Sequence, residues 1–342
     1  MRIELPISKS IANRWLILQA IYGDELMPVS DSMPDDVQIL HLALTTLHNT
    51  TQSNTTLHLS NCGTAMRFLT AYAAQLENRV TILDGVERMH HRPIGQLVDA
   101  LREIGADIEY LGKEGFPPLR IKGRILDKHR IVTINNPQST QFVSALLLIG
   151  ANVQTDSTSP YITLTRELIQ YCTTLHNSTE RYTIEKDWSS AAFWYEYVAL
   201  HGGEITLPGL YRDSLQGDKV VADIFAHLGV STQYTEEGIR IYRSQAILNS
   251  KFLIKNFIAC PDLYPVVALT CERLGIELHA TGTESLPIKE SDRLRAVAEH
   301  RTDADHRMAM ALLIAGYEVD DTACISKSYP QFMEEFRLLH QK

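Results

Sequence analysis

One local pattern recurs along this chain and limits its fold more than any other: a polar or glycine-containing turn that opens an amphipathic helix. It stands at Ser8-Lys9-Ser10 before residues 11–20, at Asn61-Cys62-Gly63-Thr64 before 65–74, and at Gln138-Ser139-Thr140 before 141–149. It returns at Asp187-Trp188-Ser189-Ser190 before 191–200, at Pro261-Asp262 before 263–273, and at Asp305-His306 before 307–315. Ser, Thr, Asn and Asp are the side chains that best accept from the free N–H groups of a helix start, and the segments that follow carry apolar residues at i, i+3, i+4 spacing. Between them lie strand-like runs, among them Val80-Thr81-Ile82-Leu83, Ile131-Val132-Thr133-Ile134 and Ile239-Arg240-Ile241-Tyr242. Strands alternating with capped helices predict an α/β protein built from a small repeated unit, although sequence identity between the repeats is weak.

A chain of 342 residues exceeds what one core ordinarily serves, so two domains are expected. The net charge of −9 argues against nucleic acid as a partner, which would need a broad basic surface. It leaves room for small anions, because a few cations in a cleft focus a local positive field even on an acidic protein. The five cysteines (Cys62, Cys172, Cys260, Cys271, Cys324) are odd in number and lack C-x-x-C spacing, which points to free thiols in a reducing cytoplasm. No apolar run is long enough for a membrane span, and the N-terminus has no apolar signal segment. The Asn-x-Ser/Thr matches at Asn49, Asn54 and Asn177 are then chance. The tandem His90-His91 has no partner at metal-ligand spacing, so metal binding has little support.

The charged residues say more. Lys289-Glu290-Ser291-Asp292-Arg293 is followed twelve residues later by Asp305-His306-Arg307-Met308-Ala309-Met310. Lys289, Arg293, His306 and Arg307 repel one another unless counter-charges intervene. Glu290, Asp292 and Asp305 supply part of that charge, and a substrate phosphate or carboxylate could supply the rest. Lys9, Arg14, Arg67, Arg92 and Lys327 also lie in capped or turn-rich segments, and a helix N-terminus itself attracts anions. A single charged turn is commonly just solvated, and a Ser or Asp at a helix start commonly just caps. The recurrence of cations at such places favours an anion-binding protein.

In these motifs, taken in order, the chain resembles the 5-enolpyruvylshikimate-3-phosphate synthase family. Ser8-Lys9-Ser10-Ile11-Ala12-Asn13-Arg14 is similar to its first signature and Asn61-Cys62-Gly63-Thr64-Ala65-Met66-Arg67 to its second. Arg92-Pro93-Ile94, Ser139-Thr140-Gln141-Phe142, Pro160-Tyr161-Ile162, Asp187-Trp188-Ser189-Ser190-Ala191 and Gln216-Gly217-Asp218 follow in the family's order. Pro261-Asp262, the two charged segments above, and Cys324-Ile325-Ser326-Lys327-Ser328-Tyr329-Pro330 complete the series. The resemblance implies a two-domain enolpyruvyl transferase fold: six βαβαββ units, three per domain, around an interdomain cleft. It also implies a discontinuous division, with residues 1–7 plus 185–342 in one domain and 8–184 in the other.

The implied activity is transfer of the enolpyruvyl group of phosphoenolpyruvate to the 5-hydroxyl of shikimate 3-phosphate, through a tetrahedral intermediate and with release of phosphate. By resemblance, phosphoenolpyruvate is held by Lys9, Asn61, Gly63, Thr64, Arg92, Gln141, Glu290, Arg293, His306, Arg307 and Lys327. Gly63 has a steric reading, since a side chain there would intrude where phosphoenolpyruvate, or glyphosate in its place, packs against the backbone. Shikimate 3-phosphate falls to Lys9, Ser10, Arg14, Ser139, Thr140, Gln141, Thr158, Tyr161, Asp262, Ser285 and Lys289. Asp262, Glu290 and Lys9 are the candidate catalytic groups, Asp262 toward the 5-hydroxyl and Glu290 toward the methylene carbon. Arg67 reads as a brace for the loop from Asn61 to Thr64, and Asp292 and Asp305 as braces of their own turns. A monomeric cytoplasmic enzyme is expected, and the resemblance implies neither a metal nor an organic cofactor.

The chain departs from the family pattern in several places. Ser285 stands where an asparagine is usual, Pro287 where a basic residue is common, Thr158 for a serine, and Phe68 where proline is usual. The intervals 38–60 and 294–304 are also short. Two other readings share these features: a non-catalytic anion-binding relative, and the sister transferase acting on UDP-N-acetylglucosamine. The latter differs by carrying Lys-Asn where this chain has Lys9-Ser10.

Overall fold

A computed structural model of the chain describes residues 1–50, 53–175, 182–244 and 252–340; Asn177 lies outside them. Contacts divide the chain into two compact units, one of Ser10–Ser30 and Asp36–Thr183, the other of Met1–Lys9, Asp31–Asp35 and Ile184–Lys342.

The first unit contains α1 (Lys9–Tyr22), α2 (Asp35–Asn49), β1 (Asn54–His58), α3 (Gly63–Ala74), β2 (Val80–Asp84), α4 (Gly95–Glu103), β3 (Asp107–Tyr110), β4 (Leu119–Lys122), β5 (Ile131–Thr133), α5 (Thr140–Leu148), β6 (Asn152–Gln154) and α6 (Pro160–Leu175). Residues 54–122 make one complete βαβαββ run. Its sheet has the order β1-β2-β4-β3, with β1 and β2 parallel and β4 antiparallel to both its neighbours. The segment from β5 to α6 is a shorter βαβα run on a parallel strand pair. Helix α3 is buried on nearly every face because it reads Ala-Met-Arg-Phe-Leu-Thr-Ala-Tyr-Ala-Ala, with no polar face to offer water. It packs on α5, which packs on α6.

The second unit contains α7 (Trp188–His201), β7 (Glu204–Pro208), α8 (Val221–Ala226), β8 (Val230–Tyr234), β9 (Gly238–Arg243), β10 (Phe252–Asn256), α9 (Tyr264–Leu274), β11 (Glu277–Thr281), α10 (Arg293–Ala298), α11 (His306–Ala315) and α12 (Phe332–His340). Strands β7-β9-β8 are antiparallel, and Arg2 bridges Thr206 in parallel beside β7. With that bridge the order repeats the parallel-antiparallel pattern of the four-stranded sheet. Strands β10 and β11 are parallel, and no strand follows between β11 and α11. Helices α7, α9 and α11 pack on one another around Trp188, Phe193, Trp194, Val267, Met308 and Met310, all fully buried. Their near-complete burial at ~25 cal/mol per Å² of apolar surface makes this helix cluster the unit's main stabilising element.

The sequence expectation for the helices holds closely at all six junctions, with starts displaced by one to three residues. Four of those starts are closed by a side chain, three of a type the pattern suggested and one of a type it did not, while α9 begins without a side-chain cap. Ser139 accepts from Gln141 N, Asp187 from Ser190 N and Asp305 from Arg307 N. At α3 the cap is the Cys62 sulfur, which accepts from Ala65 N at 3.4 Å.

Candidate active site

In the second unit the charged residues of four separate segments converge. Asp262 sits in a 3-10 turn, Pro261–Leu263, and Pro261 occupies a first-turn position where an N–H would have no partner within the turn, so proline's lack of one costs nothing. Its Oδ1 accepts from Arg293 Nη1 at 2.7 Å and lies 3.7 Å from Lys289 Nζ, while its Oδ2 lies 3.0 Å from Arg307 Nη2. Burial alone would raise this carboxyl; Arg307, Lys289 and Arg293 outweigh burial and hold it well below the usual carboxylate range. Glu290, 8% exposed, is held the same way. Its Oε2 lies 2.8 Å from His306 Nδ1 and its Oε1 3.0 Å from Lys327 Nζ. Against the upward push of burial, His306, Lys327 and then Lys9 keep it ionised.

Arg293 is the hinge of the cluster. Its Nε donates to Asp305 Oδ2 at 2.8 Å while Nη1 serves Asp262. Burial pulls its basicity down, and Asp305 and Asp262 more than restore it. Asp305 in turn accepts from Ser291 Oγ at 3.1 Å and caps α11 through Arg307 N at 2.9 Å. The reading of Asp305 as a brace is met here, and Asp292 caps α10 through Arg295 N at 3.2 Å. Because a carboxylate only accepts, the His306 proton lies on Nδ1 toward Glu290, which leaves Nε2 a buried acceptor with no partner. Burial lowers the His306 pKa, with Glu290 opposing, and favours the neutral ring.

The short interval between Arg293 and Asp305 closes as a turn. His300, Asp303 and Ala304 take left-handed backbone angles, φ of 51°, 47° and 57°. Arg301 N donates to Ala296 O and Asp305 N to Thr302 O, each at 2.9 Å, while Arg301 Nη2 meets Asp303 at 3.1 Å. The His300 ring stacks on Tyr317 with centroids 4.0 Å apart and contacts Glu272 at 2.9 Å. These contacts offset a backbone cost of ~1 kcal/mol or more per left-handed residue.

One acidic group of this cluster was missed by sequence reasoning. Asp218 is 1% exposed, donor contact comes from Ser189 Oγ at 2.5 Å, and its Oδ1 has no partner. Burial first and Asp262 second push it up to about 6, with Arg307 opposing. The Gln216-Gly217-Asp218 motif was the available signal. Glu290, Asp305 and His306 also bring ligand-type atoms within 4.8 Å of one another. Arg293 and Lys327 already occupy those carboxylates, so the set does not suit a divalent cation. Lys9, half-buried, donates its backbone N–H to Asp187 Oδ2 at 3.1 Å. Ser285 precedes the 3-10 turn Leu286–Ile288 and is half-buried.

In the first unit the predicted residues gather at the starts of α3 and α5. Gln141 Nε2 donates to Thr64 Oγ1 at 2.9 Å, tying the two helix starts together, and Ser139 and Thr140 are half-buried beside it. Arg92 Nη1 reaches Asn61 O at 3.5 Å. Arg67 Nη2 donates to Pro93 O at 3.4 Å, so the loop 61–64 is met by Arg92 and the brace expected of Arg67 is directed at Pro93 instead. Over Gly63 the space kept clear of a side chain is taken by Arg67 and Arg92 themselves. Arg14 is buried, with donors on Thr165 Oγ1 (2.7 Å), Ser10 O (2.8 Å), Ser144 Oγ (3.1 Å) and Tyr161 O (3.4 Å); burial lowers its pKa to about 10. It thereby orients Ser10 and Tyr161. Thr158 is exposed and Tyr161 half-buried.

The model of the family described as EPSP synthase (3-phosphoshikimate 1-carboxyvinyltransferase) matches residues 41–174, 150–301 and 297–336. The 3-phosphoshikimate 1-carboxyvinyltransferase of Bacteroides fragilis is 37% identical over 395 residues, covering 98% of this chain and 94% of that protein. That of Cellvibrio japonicus is 31% identical over 414 residues, covering 98% and 95%. An EPSP synthase structure from Acinetobacter baumannii has a TM-score of 0.70 at 18% identity, covering 99% of this chain and 95% of that one, a likeness of fold alone. The alignments are longer than the chain because the relatives carry internal segments that this one lacks. Family model, near full-length identity and fold agree, and the chain belongs to the EPSP synthase family.

Proposed function

We propose that this chain transfers the enolpyruvyl group of phosphoenolpyruvate to the 5-hydroxyl of shikimate 3-phosphate and releases phosphate. The observation that carries the reading is the pair Asp262, half-buried, and Glu290, buried, each a carboxylate held ionised by its own basic neighbours. Both substrates are polyanions. Groups arriving at Arg307, Lys289, Arg293 and Lys327 draw positive charge away from the two carboxylates, and each becomes more basic as the site fills. The substrates thus activate the groups that act on them.

In the first step Asp262 takes the proton of the 5-hydroxyl as its oxygen bonds to the central carbon of phosphoenolpyruvate. Glu290, protonated in the filled site, gives its proton to the methylene carbon, which becomes a methyl group. In the second step the bond from the central carbon to the phosphate oxygen breaks, Glu290 takes a methyl proton back, and the proton on Asp262 leaves with phosphate. Lys9 is a further group able to carry a proton at this place. For binding, Lys9, Asn61, Gly63, Thr64, Arg92, Gln141, Arg293, His306, Arg307 and Lys327 serve phosphoenolpyruvate. Ser10, Arg14, Ser139, Thr140, Gln141, Thr158, Tyr161, Ser285 and Lys289 serve shikimate 3-phosphate, with Arg14 acting through Ser10 and Tyr161. Arginine forks suit carboxylate and phosphate bidentately, and lysine supplies mobile point charge.

A monomer in the cytoplasm is the accompanying reading, its location supported by the five free thiols. Among the described residues no helix is long and apolar enough to cross a membrane. Phosphate release on mixing the two substrates tests the function. Binding of both without turnover would leave an anion-binding relative in place of an enzyme.

A further inference from the structure

Residues 6–9 and 185–188 run side by side in the second unit, and one buried amide reaches both. Ile7 bridges Lys186 in antiparallel sense, Ser8 N donates to Glu185 O at 2.8 Å, and Asp187 N donates to Pro6 O at 3.0 Å. Gln216, 5% exposed, stands just ahead of the 3-10 turn Gly217–Val220. Its Oε1 accepts from Ser8 Oγ at 2.8 Å and from Trp188 N at 3.2 Å. Its Nε2 donates to Glu185 Oε2 at 2.8 Å and to Lys186 O at 2.7 Å. Trp188 N can only donate and Lys186 O can only accept, which fixes which end of the amide is oxygen. Every hydrogen-bonding position of the amide is then used. Glu185 completes the node: its Oε1 accepts from Trp188 Nε1 at 3.0 Å and Tyr211 N at 3.2 Å, and its Oε2 also from Ser214 Oγ at 2.6 Å.

A buried amide with all its positions met holds its neighbours in one geometry, because a shift leaves a polar group unpaired in a dry place. What this geometry fixes is Lys9. Ser8 is fully buried, held at its backbone by Glu185 and at its hydroxyl by Gln216. Lys9 N donates to Asp187 Oδ2 at 3.1 Å, and Asp187 is itself set by Ser190 N at 2.8 Å. Two successive residues are thus anchored. From that anchorage the Lys9 ammonium acts on both Glu290 and His306, helping to keep the first ionised and the second neutral. A lysine stem is flexible, so where its charge falls depends on where its backbone is held.

We propose that Gln216 is a positioning residue for the reaction: through Ser8 it fixes the backbone of Lys9, so that the Lys9 ammonium serves Glu290. This rests on the function proposed above, in which Lys9 and Glu290 take part. The Gln216-Gly217-Asp218 motif then has a use at each end, Gln216 toward Lys9 and Asp218 beside Asp262.

The experiment compares the unaltered chain with Ser8→Ala, Gln216→Met and Lys9→Met, and with each of the first two combined with Lys9→Met. Steady-state kinetics give kcat and KM for phosphoenolpyruvate, and melting gives Tm. Gln216→Met loses kcat/KM on the order of 10–100-fold, the scale on which a misplaced catalytic group costs. Ser8→Ala, which breaks one link of the node, loses less. In both, kcat and KM move in the same ratio as in Lys9→Met. On the Lys9→Met background neither change costs more than about twofold, the mark of residues that act through a shared one. Ser8→Ala removes a single hydroxyl, so it decides the matter even where Gln216→Met lowers Tm too far to assay. Losses that multiply with that of Lys9→Met would overturn the proposal, because they mark a brace of the fold at large. So would unchanged kinetics in Ser8→Ala and Gln216→Met. Either result leaves the function standing. No turnover in the unaltered chain would sink the functional reading, and this inference with it.

Discussion

Arg293 donates to Asp262 across 2.7 Å, and its other edge binds Asp305 across 2.8 Å, so one fully buried guanidinium joins the start of α9 to the start of α11. Ion pairs this deep are costly to form and costlier to break on one side, because the survivor is left charged in a dry place. The arrangement fixes where Asp262 points while leaving its second oxygen to Arg307.

The first prediction follows from Asp305. Asp305→Asn removes the charge that faces Arg293 and weakens the cap of α11. Loss of one side of a buried pair costs about 3–5 kcal/mol, and urea unfolding should show a loss of that size. A change below about 1 kcal/mol, the level of an exposed pair, would mean that the Arg293–Asp305 contact is not what holds the two helix starts together. In the unaltered chain the Asp305 carboxyl is depressed, burial being outweighed by Arg293. Its contribution is therefore complete above the unfolded carboxyl range near pH 4 and lost as pH falls below it.

Glu290→Gln separates chemistry from binding. The amide keeps size and polarity but can neither carry nor return a proton, so turnover should fall by ~10²–10⁴-fold. Affinity for shikimate 3-phosphate, assigned to other residues, should stay near its original value. Equal loss in both would show that Glu290 holds the substrate and does not move the proton.

Much of this site was legible in the sequence because its parts are local. Helix starts at Thr140, Trp188 and His306 announced themselves through capping side chains followed by apolar periodicity. Charges within one motif, such as Lys289 and Arg293, could be read together. What could not be read depends on neighbours brought from far along the chain. Arg14 and Arg67 stand at the same place in two similar motifs, yet Arg14 finds Thr165 and Ser144 while Arg67 finds Arg92. Nothing within either helix distinguishes them. Asp218 went unread for the same reason, since Ser189 and Asp262 flank it from other segments. The Cys62 cap was hidden because sulfur is a weak acceptor and cysteine carries no capping expectation.

Asp218 gives the third prediction. Its folded pKa, pushed up to about 6, exceeds the ordinary 3.8. Between these values the unfolded chain has lost the proton and the folded chain keeps it, so stability falls as pH rises through the window and is lower above it. Asp218→Asn removes this term. The variant should show a flatter stability profile from about pH 4 to 6, and above pH 6 a gain of roughly 2–3 kcal/mol. Because Asp218 is already neutral at the low pH where Asp262 takes up its proton, the acid limb of kcat/KM should stay in place. A limb that moves would mean that Asp218 is ionised beside Asp262.

Glu196 supplies the last prediction. It lies in the middle of α7, fully buried, and neither carboxyl oxygen has a partner. Burial pushes its pKa well above the ordinary 4.5, so the folded chain holds the neutral acid where the unfolded chain is ionised. The sign is the reverse of the paired carboxylates: stability falls as pH rises above 4.5 toward the raised folded value. Glu196→Met keeps the length of the side chain, removes the proton uptake and suits the apolar contacts of α7, α9 and α11. The variant should gain about 1–3 kcal/mol at neutral pH, the cost of an unmet buried polar group, and the gain should shrink as pH approaches 4.5. Urea titrations at several pH values measure both. A loss of stability in Glu196→Met at neutral pH would mean that the carboxyl is held by an acceptor or water that repays its burial.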